Sequence, residues 1–193
     1  MAAPRKITFD IETSNEFIGG DFNPLKLDLA LVGIHDSAND EYSSYTQEEL
    51  PKLWPIIEKA DILIGYNSDH FDIPLLGKYY PGDLTKIKSI DLLKEVRAVL
   101  GRRLKLDSLA EATLGRKKIG DGLQSIRWWK EGKVEEVRKY CIEDVRITKD
   151  IYDYARANKR LKYMDYEGVR EIKIDSSKWE KGADHALTHT LPF

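Results

Sequence analysis

Three strand-length segments follow one another before any helical pattern appears, and this order constrains the fold more than any other feature. Residues 6–12 (KITFDIE) alternate in the period of a strand, residues 29–35 (LALVGIH) form a second, and residues 41–46 (EYSSYT) a third, giving an antiparallel start. Helix and strand then alternate. Residues 47–60 place Leu50, Leu53, Trp54 and Ile57 on one face, with Pro51 in the first turn, where proline is tolerated. Residues 62–66 (ILIGY) read as a short buried strand. A short helix begins near Phe71 or Asp72, and residues 91–100 and 107–114 predict two more, the second capped by Asp107 and Ser108. Residues 115–132 are rich in glycine and charge and predict irregular chain. Residues 133–158 carry the strongest helical period, through Val137, Cys141, Val145, Thr148, Tyr152 and Ala155. Residues 161–174 predict a hairpin turning near Glu167 and Gly168. The expected fold class is α/β: a mixed sheet flanked by helices, with a C-terminal β-hairpin. The expected division is one domain over residues 1–175 and a tail over 176–193.

The 193 residues suit one domain, and the 41% apolar and 33% charged content is that of a soluble globular chain. No apolar stretch nears the ~20 residues that span a bilayer, so no membrane partner is expected. The first residues lack the apolar core of a secretory signal, which makes the cytoplasm the expected compartment. Cys141 is the single cysteine, so an internal disulfide or a cysteine zinc site is excluded. Its place on an apolar helix stripe predicts a buried, inert thiol. The net charge of −2 is not that of a polycation, yet residues 86–118 hold ten Lys or Arg against four acids. Such a segment is either a basic approach for a polyanion or a pair of solvated helix faces.

Four acids fall into three local patterns. Asp10 and Glu12, two apart on a strand, project from the same side. Two uncompensated anions at a strand end repel each other, and a cation removes that cost. Asp72 follows a buried strand and a polar turn, Gly65-Tyr66-Asn67-Ser68-Asp69-His70-Phe71-Asp72, and opens a helix whose dipole favours it. Tyr140 and Asp144 are four apart in the strongest helix and share a face. Oxygen ligands of this kind suit two divalent cations, Mg²⁺ or Mn²⁺. Two such ions about 4 Å apart can activate a water and stabilise a departing 3′ oxygen in phosphodiester hydrolysis. Asp10 is then the natural bridge between the ions. Glu12 and Asp144 would complete one of them, and Asp72 would act from the leaving-group side. Tyr140 would orient the water, since a phenol of pKa about 10 is a poor base.

Together these motifs resemble the DEDD 3′→5′ exonuclease superfamily, whose fold is ribonuclease H-like. The matching blocks run in order: Phe9-Asp10-Ile11-Glu12-Thr13, Asn67-x-x-x-Phe71-Asp72, and Tyr140-x-x-x-Asp144. The tyrosine places the resemblance in the tyrosine-type (DEDDy) branch. The middle block and Leu104-Lys105-Leu106-Asp107-Ser108-Leu109-Ala110 are similar to the proofreading exonuclease domain of family-B DNA polymerases and stand-alone relatives. The resemblance covers residues 6–155. It implies stepwise release of nucleoside 5′-monophosphates from a nucleic acid with a free 3′ end, DNA favoured and RNA an alternative. The catalytic set it implies is Asp10, Glu12, Asp72, Tyr140 and Asp144, with the four carboxylates as metal ligands. Candidate substrate contacts are Thr13, Asn67 and Phe71 from the motifs, with Arg102, Arg103, Lys105 and Lys117 for phosphates and Trp128 for base stacking. A polymerase or repair partner is left unassigned. The competing readings are an RNA 3′-end trimming enzyme, a non-catalytic nucleic-acid-binding module and an endonuclease on the same fold.

Overall fold

A computed structural model describes residues 3–17, 19, 22–116 and 122–182. Its centre is a mixed five-stranded sheet of order β3-β2-β1-β4-β5, formed by β1 (Lys6–Thr13), β2 (Leu29–Asp36), β3 (Glu41–Thr46), β4 (Ile62–Gly65) and β5 (Lys88–Asp91). Strands β1, β2 and β3 pair antiparallel with one another, whereas β4 runs parallel to β1, and β5 to β4. This is the expected fold class, a mixed sheet with helices on its faces.

Alternation on β1 decides which residues meet solvent chemistry and which meet the core. Ile7, Phe9 and Ile11 enter a cluster with Leu53 and Ile57 of α1 (Leu50–Ile57) and Leu75 and Leu76 of α2 (Asp72–Gly77). Thr8, Asp10 and Glu12 therefore face the other side. There the long α6 (Val134–Asn158) crosses the sheet, its Ile147 and Ile151 packed with Ile62 and Ile64 of β4. Pairing of β4 with β1 ends at Thr8↔Ile64, while β2 accompanies β1 to Thr13. The half of β1 that carries Asp10 and Glu12 thus extends past β4 and leaves a cleft at the carboxyl ends of the parallel strands, where open α/β sheets place their sites.

Gly33 of β2, the partner of Asp10, lets α6 come close: a Cβ there would lie 2.8 Å from Cys141 Sγ and 3.2 Å from Val145 Cγ2. Gly33→Ala is expected to cost about 1–3 kcal/mol by overpacking. The measurement is the thermal midpoint, and Cys141→Ala in the same chain should return part of the loss. An unchanged midpoint would contradict this account of the helix–sheet contact.

Three further helices, α3 (Leu92–Leu100), α4 (Leu106–Leu114) and α5 (Gly122–Lys130), complete the chain order. A hairpin of β6 (Arg160–Asp165) and β7 (Gly168–Lys173) follows α6 and turns at Tyr166 and Glu167. Its edge is covered by α4: Ser108 Oγ donates to the Met164 carbonyl and accepts from its N–H, and Thr113 Oγ1 does the same at Lys162. Ser108 is therefore a strand partner and not the expected cap; Lys105 holds the cap position of α4, without a side-chain bond. After β7 the chain stays on the body. Trp179 stacks on Tyr152 with ring centroids 5.3 Å apart, and Glu180 accepts from Lys6, Tyr152 and Arg156. His185 and His189 of the tail lie outside the described residues. Among the described residues no helix is long and apolar enough to cross a membrane.

Three further elements differ from expectation. The irregular chain expected over residues 115–132 contains α5, because Ser125 and Ile126 are buried against the sheet and α6. Strand β5 was absent from the pattern: KSID has one apolar residue, and parallel pairing to β4 makes it a strand. The helix expected from Asp91 begins at Leu92, with Asp91 as its cap.

Candidate functional site

Asp10 and Glu12 rise from the extended half of β1 onto the floor of a hollow of about 460 Å³, and α6 brings Tyr140 and Asp144 to the same hollow. Glu12 and Asp144 are only 6% and 5% exposed. The Cys141 thiol sits among these acids, donating to the Asp10 carbonyl at 3.4 Å and lying 3.8 Å from Asp10 Oδ2. Burial pushes that thiol well up, and the negative charges of Asp10, Glu12 and Asp144 push it further. The protonated, inert cysteine expected from sequence is what this environment favours.

Asp72 is the first residue of α2 and is not on the hollow's wall; it lies behind it, 3% exposed. Burial raises its carboxyl well above the usual range, the charges of Asp91 and Glu12 raise it further, and backbone N–H groups of Asp72 and Ile11 oppose the rise. The charge of Glu12 reaches Asp72, and the charges of Asp10, Glu12 and Asp144 reach Cys141. Three carboxylates, from β1 and α6, thus line one hollow, and the buried Asp72 of α2 lies within reach of the Glu12 charge. Such a crowded, buried anionic set is costly without a cation. Its donors are carboxylate oxygens, and Asp10, Glu12 and Cys141 place ligand atoms within 4.8 Å of one another. Hard divalent cations such as Mg²⁺ or Mn²⁺ fit the oxygens, while the protonated thiol is a poor ligand for them.

Thr13, Asn15 and Glu16 also line the hollow, and the remainder is apolar and aromatic. Phe71, at the start of α2, faces Phe22 at 6.0 Å with rings inclined by 22°, and Phe17 meets Phe22 at 5.3 Å. Leu123 and Ile126 of α5 line it with these rings. Helix α5 also delivers Ser125, whose Oγ donates to Glu12 Oε2 at 2.5 Å. None of Phe17, Phe22, Leu123, Ile126 and Ser125 was singled out by the sequence. The available signal for α5 was the three-residue spacing of Leu123, Ile126 and Trp129.

The proposed substrate contacts are distributed unequally. Thr13 and Phe71 line the hollow, and Thr13 Oγ1 donates to the Asn15 carbonyl at 3.0 Å. Trp128 turns its ring edge-on to Tyr140, 6.2 Å between centroids, and packs beside Ala30 and Leu31 instead of forming the wall. Asn67 faces away from the hollow. It has a left-handed φ of 67°, which asparagine tolerates in a turn, and its Oδ1 accepts from Arg103 at 2.8 Å. Arg102 is held by Asp165 at 3.6 Å and lies 5.4 Å from the Tyr163 ring centroid. Lys105 is exposed at the start of α4, and Lys117 lies outside the described residues.

Among solved structures, the chain is similar to a family B DNA polymerase from the hyperthermophilic archaeon Pyrobaculum calidifontis, with a TM-score of 0.63 and 19% sequence identity. The match covers 80% of this chain and 25% of the polymerase, and at that identity it speaks to the fold. Comparison with curated protein sequences gives no significant match. The profile of the family RNase_H_2 matches residues 7–156, most of the chain, including the acidic residues just described and, but for Lys6, all five strands of the central sheet, so the chain belongs to the RNase_H superfamily.

Proposed function

We propose that this chain is a divalent-metal-dependent 3′→5′ exonuclease of the tyrosine-type DEDD branch, acting on nucleic-acid 3′ ends with single-stranded DNA favoured. One observation carries the reading: Asp10 and Glu12 of β1 and Asp144 and Tyr140 of α6 line one hollow, with Asp72 of α2 buried within reach of the Glu12 charge. Asp10, Glu12 and Asp144 are the residues that would hold the cations, with Asp72 behind them. Divalent cations held there would supply water activation and charge neutralisation at the leaving 3′ oxygen. Tyr140 holds the attacking water by its hydroxyl and does not take its proton. Phe71, Phe22 and Phe17 offer aromatic surface to a terminal base, and such stacking is indifferent to sequence. Ser125 fixes the Glu12 carboxylate.

Ser125→Ala is expected to weaken Mn²⁺ binding by about 10–100-fold, the usual effect of losing a group that orients a metal ligand. Titration calorimetry reads this directly, and Ser125→Thr should retain most of the affinity. Equal Mn²⁺ affinity in Ser125→Ala and the parent would remove Ser125 from the site.

The functional test is digestion of matched 5′-labelled DNA and RNA oligonucleotides with Mg²⁺, Mn²⁺ or EDTA. A metal-dependent ladder shortening from the 3′ end is expected, faster on DNA. Faster digestion of RNA assigns the RNA-trimming reading instead. Binding without cleavage by folded protein assigns the non-catalytic one.

A further inference from the structure

The turn between β4 and α2 has two sides. Through Phe71 it walls the acidic hollow. Its opposite side opens into a second hollow of about 370 Å³, where Asn67, Asp69, Asp91, Lys94, Arg97 and Arg103 meet. Both carboxylates there are already committed. Asp91 accepts from the backbone N–H groups of Asn67, Asp69, Leu93 and Lys94. Asp69 accepts from Ser89 Oγ at 2.6 Å and from Lys94 Nζ at 2.8 Å. The two guanidinium groups have no such acid. Arg103 gives one N–H to the neutral amide oxygen of Asn67. Arg97 is exposed and makes no ion pair among the described residues. A guanidinium carries five donors in a planar fork that matches a phosphate, so most of this capacity is free for an anion.

We infer that this second hollow is a phosphate subsite, in which Arg97 and Arg103 grip an internal phosphodiester of the strand whose 3′ end lies in the acidic hollow. The turn at residues 67–71 is the wall common to both hollows, so a strand leaving the first passes over His70 and Phe71 to reach the second. The turn is held from behind by Asp91, so Asn67 serves to present Arg103. The identity of the strand rests on the exonuclease reading; the binding of phosphate by these two arginines does not.

The test is fluorescence anisotropy of labelled single-stranded oligonucleotides with Ca²⁺ in place of Mg²⁺, so that the strand stays intact. Arg97→Gln breaks no side-chain hydrogen bond or ion pair among the described residues and keeps the test independent of the Asn67 turn. It is expected to weaken binding of a decanucleotide about tenfold. The slope of log affinity against log salt should become shallower by about 0.7, the value for one lost phosphate contact on a single strand. Adding Arg103→Gln should deepen both effects. Affinity for a dinucleotide, too short to leave the acidic hollow, should move less than twofold. Unchanged decanucleotide binding in Arg97→Gln, equal losses on both lengths, or no binding by the parent protein would each overturn the inference. Displacement of the decanucleotide by inorganic phosphate at constant ionic strength, without length dependence, would assign the hollow to a free anion and overturn it too. Cleavage in Mg²⁺ is read separately. A parent protein that binds with this signature and cuts nothing keeps the subsite and loses the exonuclease, and one that cuts while Arg97→Gln binds normally does the reverse.

Discussion

Asp10→Asn is expected to lower metal-dependent cleavage by about 10³-fold or more while leaving the protein folded. Asp10 pairs through its backbone with Gly33, and an amide keeps the size of the side chain, so β1 loses nothing of its pairing. What changes is charge at the most crowded point of the site, where Asp10, Glu12 and Cys141 place ligand atoms together. A neutral amide oxygen is a weaker ligand than a carboxylate, and it brings no negative charge to offset a cation. Single-turnover cleavage with saturating Mg²⁺ measures the loss, and the thermal midpoint without metal reports folding. A midpoint equal to or above the parent's, with cleavage gone, assigns the loss to chemistry. Retained cleavage would remove Asp10 from its central role.

Asp72→Asn is expected to raise stability without metal and to lower activity, an opposition that only a functional carboxyl explains. The Asp72 carboxyl is raised well above its ordinary 3.8 by burial first, and then by Asp91 and Glu12. The sign of the pH dependence follows. At pH below the ordinary value both folded and unfolded chains hold the proton, and the group contributes no difference. As pH rises past that value the unfolded chain sheds its proton while the folded chain keeps it. Stability then falls with pH up to the raised folded value, above which the penalty is complete. Asparagine cannot ionise, so the variant escapes this decline. Its midpoint should exceed the parent's at about pH 8 and converge with it near about pH 4. For a chain of this length each 1 kcal/mol is worth about 2–4 °C. Cleavage should fall at least about 10²-fold. A variant that melts below the parent at the higher pH would mean that Asp72 is a structural carboxylate and not a strained functional one.

The elements legible in the sequence were those whose pattern is local. Strands β1, β2 and β3 and the helix α6 declared themselves by period, and the hairpin by its turn between two β-rich runs. The two-residue spacing of Asp10 and Glu12 on a strand, and the four-residue spacing of Tyr140 and Asp144 on a helix, put each pair on one face before any tertiary contact is considered. What escaped depended on distant partners. Strand β5 exists because Gly65 and Asp91 align on neighbouring strands, and nothing within KSID announces it. Helix α5 lies in a glycine- and charge-rich stretch, and its approach to β1 is what brings Ser125 to Glu12 across 113 residues. The direction of a side chain was equally hidden. Asn67 and Phe71 share one turn but point into different hollows, and Trp128 neighbours Tyr140 without reaching the wall.

The most direct test of the central reading compares linear and circular single-stranded DNA of one sequence, incubated with Mg²⁺ and followed by mass spectrometry of the products. The account predicts nucleoside 5′-monophosphates released in order from the 3′ end of the linear strand and an intact circle. A nicked circle, or release that begins at the 5′ end, would contradict it.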